Sequence, residues 1–241
     1  MVADHQSLTG IVWVTGASSG IGAAIAQHLS SQGYVVAASA RRTDRLQELA
    51  RSNHSLYAFP CDCADADAVR QTVKALEERF GAIHAFVHCA GSALFKPFTD
   101  ISLKEFAELF RNNLWSAFVC TQAVLPGMLR RGRGTVVLVG SVASLKAFPQ
   151  SSVYGGLKAA AAHMLRSLRE EVRSHGIKVV NVHLGATETP LWPPDMRHRW
   201  RDRMLQPEHV AEAIGSLLAL ASNSQLLPEE LVLRPQLGDL P

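Results

Sequence analysis

The chain alternates short apolar segments with longer amphipathic ones along its length. Apolar runs of strand length are found at 11–16, 34–40, 56–60, 82–91, 134–141 and 177–185, with a shorter one at 230–235. Apolar residues at helical spacing predict helices at 21–33, from about Thr43, and at 64–80, 103–129, 153–173 and 207–221. Strands that alternate with helices through right-handed crossovers form an open parallel sheet. The predicted fold class is therefore α/β, a doubly wound parallel sheet with helices on both faces.

The size and continuity of the chain indicate one unit of this kind. Its 241 residues, 47% of them hydrophobic, are enough to bury a full core. No linker, repeat or low-complexity block interrupts the alternation. Residues 1–241 are therefore predicted to form a single domain.

The charge distribution argues against a nucleic-acid-binding protein, and the lack of long apolar runs argues against a membrane protein. The formal charge of +3 is scattered, apart from basic clusters at 130–133 and 197–203. A nucleic-acid partner usually requires a more concentrated basic face, so none is expected. Residues 1–10 lack the pattern of a signal peptide. No uncharged apolar run reaches the roughly 18 residues that a membrane helix needs. The expected location is the cytoplasm.

The four cysteines are interpreted as buried free thiols in a reducing compartment, because they lie in or beside apolar segments. Cys61 and Cys63 form a C-x-C pair without a second half at metal-ligand spacing. No metal site is predicted.

A glycine-rich turn, TGASSGIG at 15–22, joins the first predicted strand to an alanine-rich helix. Glycines at 16, 20 and 22 permit a tight turn and close approach of the backbone to a pyrophosphate. The start of the helix supplies amide donors for phosphate. A purely structural glycine turn is the alternative, but the strand before it and the helix after it are the context that dinucleotide binding requires.

Tyr154 precedes Lys158 by four residues, which places both on one face of a helix. An ammonium group there can stabilise a tyrosinate and bring a phenol of pKa about 10 closer to neutrality. Such a phenol can exchange a proton with an alcohol or carbonyl oxygen. By itself the pair is weak support, because this spacing arises by chance on many helices.

Together, T-G-x-x-x-G-x-G at 15–22 and Y-x-x-x-K at 154–158 resemble the short-chain dehydrogenase/reductase family over nearly the whole chain. The resemblance implies a Rossmann-type fold and an NADP(H)-dependent oxidoreductase that interconverts a carbonyl and a secondary alcohol by hydride transfer. A non-catalytic NADP(H)-binding or redox-sensing protein on the same fold is the alternative.

The resemblance also implies a catalytic tetrad. Tyr154 would be the general acid/base, and Lys158 would lower its pKa and hold the nicotinamide ribose. Ser141, thirteen residues before Tyr154, matches the serine that stabilises the substrate oxygen. Ser144 lies nearby, but its spacing does not fit the family pattern.

Asn113 in RNNLWSAF matches the asparagine whose helix kink supports a water relay to the lysine. The adjacent Asn112 leaves a one-residue ambiguity, and Asn113 is preferred because the residues that follow it fit the family pattern. The alternative is an asparagine pair on a solvent-facing helix turn.

The second strand ends in SARR, where an acidic residue would bind the ribose of NAD. Arg41 and Arg42 at this place favour the 2′-phosphate of NADP, although they are also compatible with the start of a solvated helix. Asp62, with the backbone of Cys63, matches the family's adenine contact; alone, it would more often be a helix cap. The residues expected to bind NADP(H) are Gly16, Ser18, Ser19, Gly20, Ile21, Gly22, Arg41, Arg42, Asp62, Cys63, Ala90, Gly91, Tyr154, Lys158, Gly185, Thr187 and Thr189.

Two segments depart from the family pattern. His88-Cys89 replaces the first two residues of Asn-Asn-Ala-Gly, while Ala90-Gly91 is kept. We expect a ring nitrogen of His88 to replace the asparagine's hydrogen bonds across the sheet. Leu184-Gly185 replaces Pro-Gly, and Thr189 still matches the threonine that contacts the cofactor. His163 and His183 are interpreted as packed or surface histidines.

The segment 191–206 lies where the family carries its substrate lid, and it contains Trp192, Trp200 and several arginines. This composition fits a compact anionic or aromatic substrate, and arginines that face water fit it equally well. The helices near Leu103 and Val153 resemble those that form dimers and tetramers in the family, so a homodimer or homotetramer is expected. The expected partner is a small carbonyl or alcohol.

Overall fold

The computed structural model describes residues 10–240, which form a seven-stranded sheet covered by helices. The strands are β1 (Ile11–Thr15), β2 (Val35–Ser39), β3 (Leu56–Ala58), β4 (Ile83–His88), β5 (Gly134–Ser141), β6 (Ile177–Leu184) and β7 (Glu230–Leu233). Their order is β3-β2-β1-β4-β5-β6-β7, and each neighbouring pair is parallel. The order reverses between β1 and β4, where ligands bind in sheets of this kind. The predicted fold class is confirmed, and the single-domain interpretation stays a prediction.

The helices are α1 (Gly20–Ser31), α2 (Thr43–Arg51), α3 (Ala66–Phe80), α4 (Leu103–Phe110), α5 (Ser116–Arg131), α6 (Ser152–Val172), α7 (Pro194–Trp200) and α8 (Pro207–Ser222). Between 10 and 240, none of them is both long and apolar enough to cross a bilayer. The prediction that residues 1–10 carry no signal peptide concerns a segment that lies, except for Gly10, outside the described residues.

Two helix boundaries differ from the predicted ones for identifiable reasons. The predicted helix 103–129 is interrupted by a π-helical turn at Arg111–Trp115, close to the expected break at the asparagines. The helix expected from Ala64 begins at Ala66, because the Asp65 carboxylate caps it by accepting from the amides of Asp67 and Ala68. The sequence also did not predict α7, a two-turn helix within the lid segment.

The central strands are apolar on both faces because each face supports its own hydrophobic core. Along β1, Val12 and Val14 pack in the core beneath α1 and α8, whereas Trp13 packs in the opposite core beneath α3, α5 and α6. The Trp13 ring lies 4.9 Å from that of Phe86, and its indole N–H donates to Ser39 Oγ at 2.8 Å. This packing holds β1, β2 and β4 together and positions the loops at their carboxyl ends.

Candidate active site

A cavity of about 430 Å³ lies at the carboxyl edge of the sheet, beside the reversal of strand order. Loops after β1, β2, β3 and β4 line it, together with α6 and the start of the lid segment. The predicted residues that line it are Gly16, Ser18, Ser19, Gly20, Ile21, Gly22, Arg41, Arg42, Asp62, Cys63, Ala90, Gly91, Tyr154, Lys158 and Thr189. The fold therefore brings together residues that are up to about 170 positions apart in the chain.

Four predicted residues, Asn113, Ser141, Gly185 and Thr187, do not line this cavity. The Gly185 amide donates to Leu233 O, and a Cβ at this position would lie 2.7 Å from Pro235 Cδ. The Thr187 hydroxyl is buried and donates to Gly185 O at 3.1 Å. Gly185 and Thr187 therefore stabilise the loop after β6.

The turn between β1 and α1 leaves no space for side chains at two of its glycines. Gly16 has a φ of +67°, and a Cβ on it would lie 2.7 Å from Ala90 N. A Cβ on Gly22 would lie 2.5 Å from Gly16 O. The α1 helix begins without a capping hydrogen bond from the side chain of Ser19. Its first amides therefore have no side-chain acceptor there, as a phosphate-binding helix terminus requires.

Gly22→Ala should lower the free energy of unfolding by about 1–3 kcal/mol, because the new methyl group meets backbone that cannot move aside. The matched control is Gly156→Ala on α6, where a Cβ has nothing within 4 Å. That change should be neutral or stabilise by up to about 1 kcal/mol. Urea unfolding of both variants measures the difference, and equal effects would contradict the close packing of the turn.

Two guanidinium groups and two hydroxyls surround the end of β2. The Arg42 Nη2 donates to Ser18 Oγ at 2.8 Å and to Ser19 Oγ at 2.7 Å. Arg41 lines the same part of the cavity, and its charge acts on Asp62. This concentration of positive charge and hydroxyl groups is suited to a phosphate monoester.

Asp62 is held by contacts other than a helix cap, a role that belongs to Asp65. Its Oδ1 accepts from Ala64 N at 3.0 Å, and its Oδ2 accepts from Arg111 at 2.8 Å. Burial would raise the pKa of Asp62, but the hydrogen bond from Arg111, with the other contacts and charges, lowers it overall. An ionised carboxylate therefore lines the cavity between Cys61 and Cys63.

Tyr154 and Lys158 lie in the first turns of α6 and are both buried. The Lys158 Nζ is 5.9 Å from the centroid of the Tyr154 ring. Ser141, the last residue of β5, forms a hydrogen bond with the phenol. Its hydroxyl also accepts from Ala143 N at 3.1 Å. The predicted tyrosine and lysine therefore line the cavity, and the predicted serine reaches it through the tyrosine hydroxyl without lining it.

The direction of the Tyr154 pKa shift is opposite to the expected one, which was a pKa below that of a free phenol. Burial raises the pKa of Tyr154, and the hydrogen bond from Ser141 only partly opposes this effect. Burial also lowers the pKa of Lys158 to about 8, against a small opposite effect of Cys89. Both shifts have the same cause, because a site with little solvent disfavours the charged form of each group.

Asn113 is buried in the π-helical turn, and its amide nitrogen donates to Leu109 O and Ser92 O, both at 2.9 Å. Its Oδ1 is buried and has no hydrogen-bond partner among the described residues. A Cβ on Gly91 would lie 2.9 Å from this oxygen and 3.1 Å from Lys158 Nζ. The free acceptor and the ammonium group thus border the same space, as a water relay would require.

The Asn112 side chain has a different environment. Its Nδ2 donates to Ser92 Oγ at 3.2 Å, and its backbone oxygen accepts from Ser116 Oγ at 2.7 Å. Asn113 is therefore the better match to the predicted relay residue, because its side-chain acceptor borders the space that Lys158 borders.

His88 bridges the sheet and a helix through both of its ring nitrogens. Its Nδ1 is 2.9 Å from Thr15 Oγ1 on β1, and its Nε2 is 3.3 Å from Ser116 Oγ on α5. Burial, assisted by the charge of Lys158, lowers the pKa of His88 to about 3. The ring is therefore neutral and forms the kind of hydrogen bonds across the sheet that we expected in place of the asparagine's.

The sequence did not reveal a hydrogen-bonded chain that reaches the backbone of Ser141. Glu230 on β7 contacts His183 Nε2 at 2.5 Å, and His183 Nδ1 is 2.7 Å from Ser144 Oγ. Ser144 Oγ in turn donates to Ser141 O at 2.6 Å. His183 is a packed residue, as one interpretation held, but its partner became evident only from the pairing of β6 with β7.

The Glu230 carboxylate also has three donors on neighbouring elements, Arg166, Arg169 and Asn181. Burial would raise the pKa of Glu230, but these bonds and the one from His183 lower it to about 2. The carboxylate is therefore ionised and connects α6, β6 and β7 behind the site.

The described cysteines are free thiols, as expected, and Cys89 lines the cavity. Burial raises its pKa to about 12, so it is protonated at neutral pH. Within residues 10–240, no three His, Cys, Asp or Glu side chains are grouped so as to hold a metal ion.

The fold and the site define an α/β protein with a doubly wound parallel sheet and a serine–tyrosine–lysine group beside a cavity at the reversal of strand order. The family model for short chain dehydrogenases matches residues 10–200. The chain therefore belongs to the short-chain dehydrogenase family, and it is an oxidoreductase of that family.

Among its relatives is an uncharacterized oxidoreductase of Staphylococcus aureus (strain MW2), 30% identical over 93% of this chain and 96% of the relative. An alcohol dehydrogenase from the archaeon Thermococcus sibiricus, complexed with 5-hydroxy-NADP, is 29% identical with a TM-score of 0.86 over 96% of this chain and 99% of its own. The closed form of serine dehydrogenase, complexed with NADP+, is 26% identical with a TM-score of 0.89 over 95% and 96% of the two chains.

Proposed function

We propose that this chain is an NADP(H)-dependent enzyme that interconverts a carbonyl compound and a secondary alcohol. The observation that carries the proposal is that Tyr154 and Lys158 line the same cavity as the glycine turn, with Ser141 hydrogen-bonded to the Tyr154 phenol. A protein that only bound or sensed the dinucleotide would not need a phenol and an ammonium group at this place.

The cavity fits a nicotinamide dinucleotide in shape and in charge. Backbone at Gly16 and Gly22 and the start of α1 would hold the pyrophosphate, because no side chain fits between the turn and its neighbours. Arg41 and Arg42 would hold the 2′-phosphate that distinguishes NADP from NAD. Lys158 would hold the nicotinamide ribose. The alcohol dehydrogenase and serine dehydrogenase described above bind NADP or its analogue, which supports the same choice here.

When bound, NADPH would supply the hydride for the carbonyl carbon of the substrate. In this reducing direction the carbonyl oxygen would accept the proton of Tyr154. Because burial raises the pKa of Tyr154, the phenol holds that proton at neutral pH. The Ser141 hydroxyl donates to the oxygen as negative charge develops on it. Lys158 stabilises the tyrosinate that remains, and Asn113 Oδ1 orients a water that resupplies the proton.

The activity is tested by NADPH consumption with a panel of ketones and aldehydes, and by alcohol oxidation with NADP+. We expect turnover with at least one carbonyl class. Thermal stabilisation by NADPH without any turnover would instead support the non-catalytic alternative.

Arg42→Ala should weaken NADPH binding by about 10- to 100-fold, as expected for loss of charge-assisted hydrogen bonds worth about 1.5–3 kcal/mol. NADH binding should change little, because NADH lacks the 2′-phosphate. The matched control is Arg45→Ala on α2, whose side chain is exposed and pairs with Glu48. Titration of both cofactors into the three proteins measures the preference. Equal loss for NADH and NADPH would contradict recognition of the 2′-phosphate by Arg42.

The homodimer or homotetramer and the cytoplasmic location stay predictions. A set of large apolar side chains exposed on α4, on α5 and on the turn between them supports association with a second copy. Its members are Leu103, Phe106, Phe110, Trp115 and Phe118.

A further inference from the structure

Three aromatic rings form a continuous row from the proposed proton donor to the lid segment. The Phe95 ring, in the loop after β4, lies edge-on to the Tyr154 ring, with centroids 5.6 Å apart and planes at 65°. The Trp192 ring stacks on Phe95, with centroids 5.3 Å apart and planes at 12°. We call Phe95 and Trp192 the aromatic wall. Its position beside Tyr154 means that a group attached to a carbonyl at the phenol has this wall within reach.

The aromatic wall lies next to the cavity, through Tyr154 and Leu191, without lining it, and Phe95 presents apolar surface to solvent. Phe95 is 40% exposed, and Leu191, which precedes Trp192 and lines the cavity, is 46% exposed. Exposed apolar surface next to a reaction centre favours a ligand that covers it. Flat rings gain most from such contact, because aromatic pairs attract each other beyond the area that they bury.

Four cations near the aromatic wall or in the lid segment, Lys96, Arg197, Arg199 and Arg203, already have partners. Lys96, next to Phe95, pairs with Glu105 at 3.0 Å. In the lid segment, Arg197 Nε donates to Glu188 at 2.9 Å. The guanidinium carbons of Arg199 and Arg203 lie 5.0 and 5.7 Å from the centroid of the Trp200 ring. These contacts weaken the case for an anionic substrate, since each of these charges already has a carboxylate or a ring beside it.

We propose that the substrate is an uncharged carbonyl compound, or its alcohol, that carries an aryl or similarly flat apolar group packed against the aromatic wall. This inference rests on the proposed function, because it assumes that the carbonyl oxygen lies at the Tyr154 hydroxyl. The composition of segment 191–206 allows an anionic or an aromatic substrate, and this proposal selects the aromatic one.

The test compares three probes of nearly equal size as NADPH-dependent substrates. Acetophenone carries a flat ring, cyclohexyl methyl ketone a puckered ring of the same carbon count, and benzoylformate a flat ring with a negative charge. We expect the kcat/KM of acetophenone to exceed that of each of the other two by about fivefold or more. Equal values, or a preference for benzoylformate, would overturn the proposal.

Variants then locate the preference at the aromatic wall. Phe95→Leu and Trp192→Leu should each reduce the ratio of phenyl to cyclohexyl kcat/KM by several-fold, mainly through KM. The control is Phe98→Leu, three residues from Phe95 but 73% exposed, which should keep the wild-type ratio. An unchanged ratio in both wall variants would overturn the role of the wall.

A binding measurement separates this proposal from the proposed function. Acetophenone is titrated into Tyr154→Phe with NADP+ present, and affinity is read by saturation-transfer NMR with and without Trp192→Leu. Turnover of ketones without dependence on the wall overturns only this inference. Wall-dependent binding without turnover of any carbonyl by the wild type overturns the proposed function and the assignment of a substrate, and leaves the aromatic wall as a binding site for a flat apolar ligand.

Discussion

Tyr154→Phe should lower kcat for carbonyl reduction by about 10²- to 10⁴-fold, the contribution typical of a positioned general acid. The loss follows from the removal of the proton that the substrate oxygen would accept. NADPH affinity should change little, because the ring remains and its edge-on contact with Phe95 does not involve the hydroxyl. Single-turnover measurement of NADPH oxidation, with NADPH affinity measured separately, distinguishes the effect on the chemical step from the effect on binding.

The matched control is Tyr57→Phe, which removes a hydroxyl from β3, away from the cavity, and keeps the packing of that ring against Phe80. Its kcat should equal that of the wild type. The pH dependence gives an independent check. Because the pKa of Tyr154 is raised, the alcohol-oxidising direction, which needs the tyrosinate, should speed up as pH rises above 7. Full activity of Tyr154→Phe would exclude Tyr154 as the proton donor.

The second large effect concerns stability in acid. The folded protein binds a proton at His88 only near pH 3, whereas an unfolded histidine binds one near pH 6.5. Between these values the unfolded state holds more protons, so the free energy of unfolding falls as pH falls from about 6.5 towards 3. At about 1.4 kcal/mol per pH unit, the loss from His88 between pH 7 and pH 4 is on the order of 3 kcal/mol.

His88→Asn removes this titration, and it places at residue 88 the amide that the family pattern has there. The variant should lose less stability than the wild type between pH 7 and pH 4, by that amount. Urea unfolding at several pH values measures the two slopes, and the same substitution at the exposed His175 is the control. Parallel slopes for wild type and His88→Asn would show that the ring does not stay neutral when folded.

Local patterns predicted the elements because each depends on neighbours in the sequence. The seven apolar runs became the seven strands, and the glycine turn joins β1 to α1 as expected. The helix spacing placed Tyr154 and Lys158 on one face of α6. The boundaries were less predictable, since the start of α3 depends on the Asp65 cap and the break after α4 on a π-helical turn.

The environment of buried site residues such as His88 and His183 depends on contacts between distant parts of the chain. His88 meets Thr15 across 73 residues, because β1 and β4 are neighbours at the reversal of strand order. His183 meets Glu230 across 47 residues, because β7 pairs with β6. Contacts between residues so far apart in the chain leave no periodic pattern in the sequence, so the partner of each histidine could not be predicted.

The sequence by itself determined the family, the α/β fold and the identity of the candidate serine, tyrosine and lysine, because these follow from motifs of a few residues and from local periodicity. Only the tertiary structure decided the pKa shifts of that site and the side chains that surround it. It buried Tyr154 so that its pKa rises rather than falls, and it stacked Trp192 on Phe95 beside it. Burial and ring packing depend on which segments the sheet brings together, and that is a property of the assembled fold.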